Sequence, residues 1–424
     1  MAASDASPAS SPSPASSASL ATRLLRLAAI AALASFTIAA VGCSSDASVG
    51  DEEDEEGAGT TVDPLSAPAA AGPLKFTDAC RAGTQITIAA VGDVLLHSPL
   101  QVQAYGSPDG HHSLWKHVEP LLARADLTYG NLEGPCADGV ATTGEARDPG
   151  EHFDNHVYSS YPQFNYHPSL IGALVDSGFD VVSTANNHAM DRRALGADRT
   201  VANLKKAGLP FTGTRPSNDD SASWYTVTEA KGVKIAWVAC SFSTNGIPDT
   251  KHQVLHCYED KSTLLSTIRG LKGRPEIDAV VVTPHWGIEY NHTPEEQEKG
   301  LAHEMLDAGA LVVLGGHPHV VQPWEKYTTR DGREGFVIYS LGNFVSGQSG
   351  TDKRSSLILY VGLTKGSDGK VTVNGVRHMP LTMGASPYTV QLGSGDSLAL
   401  TTKILGSWNK LDAAEPLVTN PECR

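Results

Sequence analysis

The chain has 424 residues, of which 40% are hydrophobic, and this apolar content suffices for a large buried core. The formal net charge is −15, and six of the negative charges lie in the run 51–56. A nucleic-acid-binding protein needs a basic face that neutralises phosphates, so the composition argues against that class.

The N-terminal segment has the pattern of a targeting signal. Arg23 and Arg26 precede an apolar stretch at residues 27–41, which is too short to span a bilayer comfortably. Small residues then lead into Cys43, and this ending resembles a bacterial lipoprotein signal in which the cysteine is lipidated. An ordinary secretory signal is the alternative. The first interpretation predicts an exported protein, anchored to the cell envelope by a lipid on Cys43.

Composition divides the chain into four segments. We predict a signal peptide at 1–43 and a flexible tether, rich in Ser, Ala and acidic residues, at 44–83. A folded domain is predicted at 84–384, followed by a C-terminal extension at 385–424 in which no chemistry is evident.

The first half of the folded domain alternates strands and helices. Continuous apolar runs predict the strands, and proline at a helix start or glycine at a helix end marks several of the helices. The predicted elements are a strand at 84–91, a helix at 114–124, a strand at 126–132, an irregular insertion at 137–166, a helix at 168–177, a strand at 179–184 and a helix at 193–207.

The second half continues this alternation and ends in further strands. The predicted elements are hairpin strands at 224–228 and 233–239, helices at 261–271 and 294–308, and strands at 278–283, 311–314, 336–341 and 356–363. Thr293 is predicted as the N-cap of the helix at 294–308, with Glu296 completing a capping box. This order predicts an α/β fold with mixed strands toward the C-terminus.

Polar residues stand at the ends of the predicted strands, where parallel strands open into one crevice. Asp93 and Glu133 each follow a buried strand, and their carboxylates either bind a divalent cation or cap turns. Asn187 offers a carboxamide ligand, and His188 an imidazole that can donate a proton to a leaving group. Asp191 either orients His188 or caps the following helix.

Histidines follow the apolar strands of the second half. His285 ends the most apolar strand, where an unpartnered imidazole is costly, so a ligand role is favoured over a core role. His317 and His319 follow two glycines, and in a regular strand both imidazoles would lie on one face. Glu289 is a candidate partner for such a histidine. Imidazoles and carboxylates together predict one or two divalent ions, with Mn, Zn and Fe as candidates.

Four other polar residues are candidates for contacts with the metal ligands or with the substrate. Asn131 and Asn186 adjoin predicted ligands, and His97 lies four residues after Asp93. Asn343 follows a strand and either contacts the site or forms a turn. Serine-based catalysis has no support, because the sequence contains no Gly-x-Ser-x-Gly elbow.

Five cysteines follow the lipidation candidate, and an odd number cannot all pair. Cys240 and Cys257 would close a short loop, and Cys80 could pair with Cys136 or Cys423. A buried free thiol at Cys240 is the alternative.

Six motifs occur in a fixed order: Val-Gly-Asp at 91–93, Asn-Leu-Glu at 131–133, Ala-Asn-Asn-His-x-x-Asp at 185–191, His-Trp-Gly-x-Glu-Tyr at 285–290, Gly-His-Pro-His-Val-x-Gln at 316–322 and Ser-Leu-Gly-Asn-Phe at 340–344. This set resembles the CapA family of bacterial capsule-synthesis proteins, which are associated with poly-γ-glutamate. The family is similar in fold to calcineurin-like metallophosphoesterases. The resemblance therefore implies a four-layer sandwich over residues 84–384, with two central mixed sheets flanked by helices.

The resemblance also implies roles for individual residues. The metal ligands would be Asp93, Glu133, Asn187, His285, His317 and His319, with His188 as the proton donor. Two departures stand out. The Asp-x-His pattern of the phosphoesterases has Leu95 in place of its histidine, and Asn-Leu-Glu replaces their Gly-Asp-x-x-Asp block. We therefore expect either one metal or two that are held asymmetrically.

Two hypotheses from different classes follow. The first is an extracytoplasmic, lipid-anchored metallohydrolase of capsule or surface-polymer biogenesis, which cleaves a phosphoester or an amide-like bond. The second is a non-catalytic accessory protein that binds an anionic polymer through a degenerate metal site. The implied partners are an anionic polymer or phosphoester substrate, the membrane through an N-terminal lipid, and the capsule synthesis or export machinery.

Overall fold

The computed structural model describes residues 66–423. The predicted signal peptide, the lipidation candidate Cys43 and most of the predicted tether lie outside these residues. Within the described part of the chain, none of the helices is both long enough and apolar enough to cross a membrane.

The strands are numbered in chain order. In the described residues they are β1 Thr84–Leu95, β2 Leu127–Leu132, β3 Val140–Ala141, β4 Gly144–Glu145, β5 Val181–Ser183, β6 Phe211–Thr212, β7 Tyr225–Ala230, β8 Val233–Ser241, β9 Ala279–His285, β10 Val312–Leu314, β11 Trp324–Thr328, β12 Glu334–Ile338, β13 Asn343–Ser346, β14 Ser355–Lys365, β15 Val371–Met383 and β16 Val390–Leu392.

The α-helices are numbered in the same way. They are α1 Ser98–Gly106, α2 Glu119–Leu122, α3 Ser169–Asp176, α4 Arg193–Ala207, α5 Lys261–Lys272, α6 Glu296–Ala308, α7 Thr351–Arg354 and α8 Gly395–Leu405. Short 3-10 turns lie at Gly110–Leu114 and Pro421–Cys423.

Two mixed sheets form the centre of the fold. The first has the order β16-β15-β14-β1-β2-β5-β6, and β13 also pairs with β1. The second has the order β11-β12-β10-β9-β8-β7. In the first sheet β1, β2 and β5 are parallel neighbours, and in the second β8, β9 and β10 are. Each sheet thus presents a set of carboxyl strand ends, which is where the candidate site lies.

The alternation of side chains along the strands produces the layers. In β1, Ile88 and Ala90 belong to the apolar cluster shared with the second sheet, whereas Ala89 and Val91 belong to the cluster shared with helices. This follows from the two-residue period of a strand. Helices α5 and α6 cover the outer face of the second sheet. The predicted α/β class and its four layers, with two mixed sheets flanked by helices, are confirmed.

The predicted helix at 114–124 is wrong. The chain forms a 3-10 turn at Gly110–Leu114 and then the single turn α2, whose second residue is Pro120. Proline lacks an N–H, and its ring disfavours a helical conformation of the preceding residue, so a helix cannot run through this position. Proline is tolerated in the first turn, and accordingly α2 begins beside it.

The cap of α6 differs from the prediction by two residues. The helix begins at Glu296 with Glu295 as its N-cap, and the Glu298 carboxylate accepts the Glu295 backbone N–H at 2.6 Å. The sequence contains acidic residues in two overlapping registers, so the capping-box pattern alone did not distinguish the Thr293 register from the Glu295 register.

Disulfide bonds join Cys80 to Cys423 and Cys240 to Cys257, and Cys136 is a buried free thiol. The Cys240–Cys257 prediction is confirmed, and Cys423 is the partner of Cys80.

The C-terminal part of the described chain also packs on the sheets. Strand β16 pairs with β15, and Leu400 and Ile404 of α8 are part of the core between the sheets.

Candidate metal centre

The carboxyl strand ends of the two sheets bring the predicted ligands together. We call the first group the carboxylate side; it comes from the first sheet and consists of Asp93, Asn131, Glu133, Asn186 and Asn187. We call the second group the histidine side; it comes from the second sheet and consists of His285, His317 and His319. All eight side chains are buried.

Hydrogen bonds fix the carboxylate side. Asn131 Nδ2 donates to Asp93 Oδ1 at 2.8 Å and lies 3.4 Å from Glu133 Oε2. Asn186 Nδ2 donates to the Leu132 carbonyl at 2.8 Å. Asp93 and Asn131 are also paired across β1 and β2. The sheet ladder therefore sets the spacing of these oxygen groups before any ligand is present.

Several polar contacts join the two sides. His285 Nε2 lies 2.9 Å from Asn187 Oδ1 and 3.5 Å from Glu133 Oε1. His319 Nδ1 lies 3.2 Å from Asp93 Oδ2. The predicted meeting of carboxylates and imidazoles at one crevice is therefore found in the structure.

The backbone of the histidine side differs from the predicted strand. His317 and His319 follow β10 in a loop with φ values of 97° and 57°, so both lie in the left-handed region. Their ring centroids are 5.9 Å apart, and that of His317 is 4.9 Å from His285. The imidazoles do converge, but the loop rather than strand geometry is the cause. Such conformations cost about 1–3 kcal/mol each and concentrate at functional sites.

Two glycines permit this close approach. A Cβ on Gly315 would lie 1.9 Å from the Tyr339 carbonyl oxygen, and one on Gly316 would lie 3.0 Å from Asp93 Oδ1. Gly315 is therefore required by packing against the neighbouring strand, whereas Gly316 keeps room beside the carboxylate. The two glycines before the histidines thus let the chain come close to the site.

A histidine–aspartate pair lies beside the ligands. His188 Nδ1 is 2.8 Å from Asp191 Oδ2, which also accepts the Phe164 backbone N–H at 2.7 Å. Burial disfavours the charged imidazole of His188, but the charge and hydrogen bond of Asp191 outweigh this effect and raise the pKa of His188. Orienting His188 is thus the role of Asp191 that the geometry favours over helix capping.

The donor atoms fit divalent metal ions. Three groups of residues offer ligand atoms within 4.8 Å of one another: Asp93, Glu133 and His319; Glu133, His285 and His317; Glu289, His317 and His319. Glu133 belongs to two of them. Within the described chain, Glu133 Oε1 and His317 Nδ1 are among the buried side-chain atoms without a hydrogen-bond partner, and a bound cation would satisfy both. Mixed carboxylate and imidazole donors suit Mn, Zn or Fe.

Electrostatics links the two sides. Burial disfavours ionisation of Glu133, but His285 and His319 outweigh this effect, and the pKa of Glu133 falls below its usual range. Burial, reinforced by His285 and His319, lowers the pKa of His317 well below its ordinary value. A carboxylate and a neutral imidazole are the forms that bind metals, so both groups are prepared for ligation.

Three further residues predicted to contact the ligands or the substrate, His97, Asn343 and Glu289, lie in different surroundings. His97 is buried edge-on to Phe164, and burial lowers its pKa to about 4. Asn343 pairs with Asp93 across β13 and β1, and its Oδ1 is buried without a partner among the described residues. Glu289, predicted as a partner of a ligating histidine, is half-buried and lies in one of the three candidate metal groups.

Sequence reasoning missed a set of residues that support the histidine side. Tyr290 has a φ of 64°, its N–H donates to the Pro318 carbonyl at 2.8 Å, and its ring centroid is 6.2 Å from His319. Gln348 donates to the Tyr290 hydroxyl at 3.2 Å. Tyr290 belongs to the His-Trp-Gly-x-Glu-Tyr motif, which was the available signal, whereas Gln348 stands in a stretch with no readable pattern.

The predicted departure from the phosphoesterase pattern is also visible. Leu95 occupies the position where that pattern has a histidine, and its side chain is fully buried in the apolar cluster beside the first sheet. Leu95 supplies no ligand, and the imidazole grouped with Asp93 and Glu133 is that of His319.

Comparison with known proteins defines the family. Residues 87–348, more than half of the chain, match the family described as bacterial capsule synthesis protein PGA_cap. The chain is 30% identical over 286 residues to the capsule biosynthesis protein CapA of Bacillus anthracis, covering 66% of this chain and 64% of that protein. It is 30% identical over 284 residues to the PGA biosynthesis protein CapA of Bacillus subtilis (strain 168), covering 67% and 69%. The chain therefore belongs to the PGA_cap family.

A solved structure of a hypothetical protein from Thermus thermophilus is also similar, with 17% identity and a TM-score of 0.39, covering 70% of this chain and 98% of that one. A likeness at this level carries no argument about the site. The Bacillus anthracis relative is aligned over less than two thirds of its length, so its activity and partners do not transfer automatically to this chain.

Proposed function

We propose that this protein is an extracytoplasmic, lipid-anchored, metal-dependent hydrolase that acts on an anionic capsule or surface polymer of the poly-γ-glutamate type. The observation that carries the proposal is Glu133, a buried carboxylate shared by two candidate metal groups that join the two sheets. The names of the Bacillus relatives, which refer to capsule and PGA biosynthesis, support the polymer class.

Metal binding and proton donation would be carried out by different side chains of the centre. One or two divalent cations at this centre would supply Lewis acidity, which polarises the scissile group and promotes ionisation of water. Asp93, Glu133, Asn187 and the three histidines would hold the cations. His188, whose pKa Asp191 raises, would deliver a proton to the leaving group. The bond to be cleaved is either a phosphoester or the amide of the polymer backbone.

Metal analysis of the full-length chain is the first test. Elemental analysis after purification in detergent should give one to two equivalents of Mn, Zn or Fe, and the His317→Ala/His319→Ala double variant should lose most of it. Retention of metal in the double variant, or no uptake by the wild type even with added Mn²⁺ or Zn²⁺, would refute the metal assignment.

Turnover is tested with two substrates on the same preparations. Oligomers of γ-linked glutamate, followed by mass spectrometry, report amide cleavage, and p-nitrophenyl phosphate reports phosphoester cleavage. His188→Ala should retain its metal but lose about 100-fold or more in rate, because only proton transfer is removed. Unchanged turnover in this variant would show that His188 is not the proton donor.

A second candidate function is polymer binding without catalysis, in synthesis or export. The buried Leu95 favours it, because Leu95 stands where the phosphoesterase pattern has a histidine ligand, and a site with one ligand fewer holds a metal less firmly. Metal and polymer binding with no cleavage of either substrate would select this function over hydrolysis.

The membrane anchor is tested separately. Cys43→Ser should move the protein from the membrane fraction to the soluble fraction of the envelope, because the proposed lipid attachment is lost. Cys136→Ser is the matched control, since it changes a free cysteine of the folded domain but leaves Cys43 intact. Continued membrane association of Cys43→Ser would contradict lipidation.

A further inference from the structure

Lys353 combines partial burial with an unusual environment for a cation. Its side chain is half-buried, and within the described residues no carboxylate lies within 4.0 Å of its ammonium group. Lys326, Lys365 and Lys410, which are also partly buried, each form an ion pair at 2.6–2.8 Å. The partner of Lys353 is instead the ring of Tyr290, whose centroid lies 4.4 Å from Nζ. A cation over an aromatic face keeps its capacity to bind an anion.

Tyr290 connects this ammonium group to the histidine side. The tyrosine backbone is bonded to Pro318, between the two histidines, and its ring centroid lies 6.2 Å from that of His319. The sum of 4.4 Å and 6.2 Å is thus the upper limit for the distance between Lys353 Nζ and the His319 ring centroid. An anion at Lys353 would therefore lie within reach of a molecule bound at the centre.

Asn343 connects the same segment to the carboxylate side. Its Nδ2 donates to Gln348 Oε1 at 2.9 Å and to the Lys353 carbonyl at 3.0 Å. Asn343 itself is paired with Asp93. Lys353 is thus held from both sides of the centre, through Tyr290 and through Asn343, and its position does not depend on a loop alone.

We propose that Lys353, seated on Tyr290, binds a carboxylate of the anionic polymer and so positions the neighbouring bond at the metal centre. This inference rests on the proposed function. Each residue of a γ-linked glutamate polymer carries one carboxylate, so a polymer bound across the centre also presents a carboxylate beyond the bond to be cleaved. A single ammonium group is a compact charge that suits one carboxylate, whereas phosphate recognition more often uses the fork of arginine.

The test compares Lys353→Gln and Lys353→Arg with the wild type in the full-length, Mn²⁺-loaded chain. Arg274→Gln is the matched control, because Arg274 also lies over a tyrosine ring, at 5.2 Å from Tyr225, but at the edge of the second sheet. Fluorescence anisotropy measures affinity for a labelled oligomer of γ-linked glutamate, for its methyl-esterified form and, by competition, for inorganic phosphate. Elemental analysis verifies the metal content of every variant.

Lys353→Gln should weaken binding of the acidic oligomer about tenfold, as expected for loss of one charge-assisted hydrogen bond, with metal content unchanged. Lys353→Arg should retain most of the affinity, and Arg274→Gln all of it. Binding of the esterified oligomer should not differ between wild type and Lys353→Gln.

Three results would overturn the inference. Equal affinity of wild type and Lys353→Gln for the acidic oligomer would show that Lys353 does not contact it. Weaker binding of phosphate alone would make Lys353 a phosphate contact instead. If the metal-loaded wild type bound no oligomer at all, the polymer function itself would fail, a result distinct from failure at Lys353.

Discussion

On the carboxylate side, Asp93 and Asn131 lie on paired strands, and hydrogen bonds between side chains fix their positions. On the histidine side, His317 and His319 lie in a loop with left-handed backbone conformations, after glycines that pack against a neighbouring strand. The arrangement of the carboxylate side requires little backbone strain, because regular strand pairing provides it. That of the histidine side costs conformational energy, which the surrounding core must offset. The carboxylate side thus fixes the position of the negative charge, and the strained loop of the histidine side brings the imidazoles to that charge.

Removal of the shared carboxylate should have the largest effect. Glu133→Gln keeps the size of the side chain but removes the charge from two candidate groups, so metal affinity should fall by more than about 100-fold. Glu289→Gln is the matched variant, since Glu289 is half-buried and belongs to one group only. Its effect should be about tenfold. Titration with Mn²⁺ or Zn²⁺ and elemental analysis measure both. An equal loss in the two variants would show that Glu289 contributes as much to metal affinity as Glu133.

Replacing Gly315, the first of the two glycines before the histidines, should have the next largest effect. In Gly315→Ala the new methyl group would meet the Tyr339 carbonyl oxygen, and the free energy of unfolding should fall by about 2 kcal/mol. Gly300→Ala is the control, because that exposed position in α6 has nothing within 4 Å of the added Cβ. Its unfolding free energy should rise by up to about 1 kcal/mol, since alanine is the better helix former. Denaturant unfolding measures both, and a neutral Gly315→Ala would contradict the packing argument.

The histidine–aspartate pair should respond to pH. Asp191 raises the pKa of His188, so Asp191→Asn should lower this pKa and move the basic limb of the pH–rate profile to lower pH. A raised folded-state pKa contributes stability below the unfolded pKa, and this contribution is lost as the pH rises through the folded value. The stability difference between wild type and Asp191→Asn should therefore be larger at about pH 5 than at about pH 9. A difference that does not vary with pH would rule out the coupling.

The smallest effect on metal binding is expected for a change at Phe242, which supports the histidine side only by packing. The ring centroid of Phe242 lies 4.4 Å from that of His317. Phe242→Leu should weaken metal binding about two- to threefold, because it loosens one imidazole without removing a ligand. Calorimetric titration with Zn²⁺ measures the change. A loss as large as that of Glu133→Gln would show that the imidazole position, rather than the shared charge, limits affinity.

Part of this picture follows from local sequence. Apolar runs predicted strands β1, β2 and β9, and the polar residues predicted at their carboxyl ends, Asp93, Glu133 and His285, lie within or directly after these strands. The helix at Arg193–Ala207 has the predicted bounds, because it ends at a glycine with a φ of 71°. Strand and helix periods are local properties, so a single sequence reports them well.

Local sequence patterns encode the alternation of strands and helices, the residue types of the candidate metal ligands and their order along the chain. Long-range packing sets the pairing of Cys80 with Cys423 rather than Cys136, the convergence of the two histidines through a left-handed loop, and the contact of Lys353 with Tyr290. The physical reason is how far apart in the chain the interacting residues lie. Residue patterns within a few turns dictate local elements, but sheet order and the packing of one sheet on another join residues far apart in the chain, and no local period encodes those contacts.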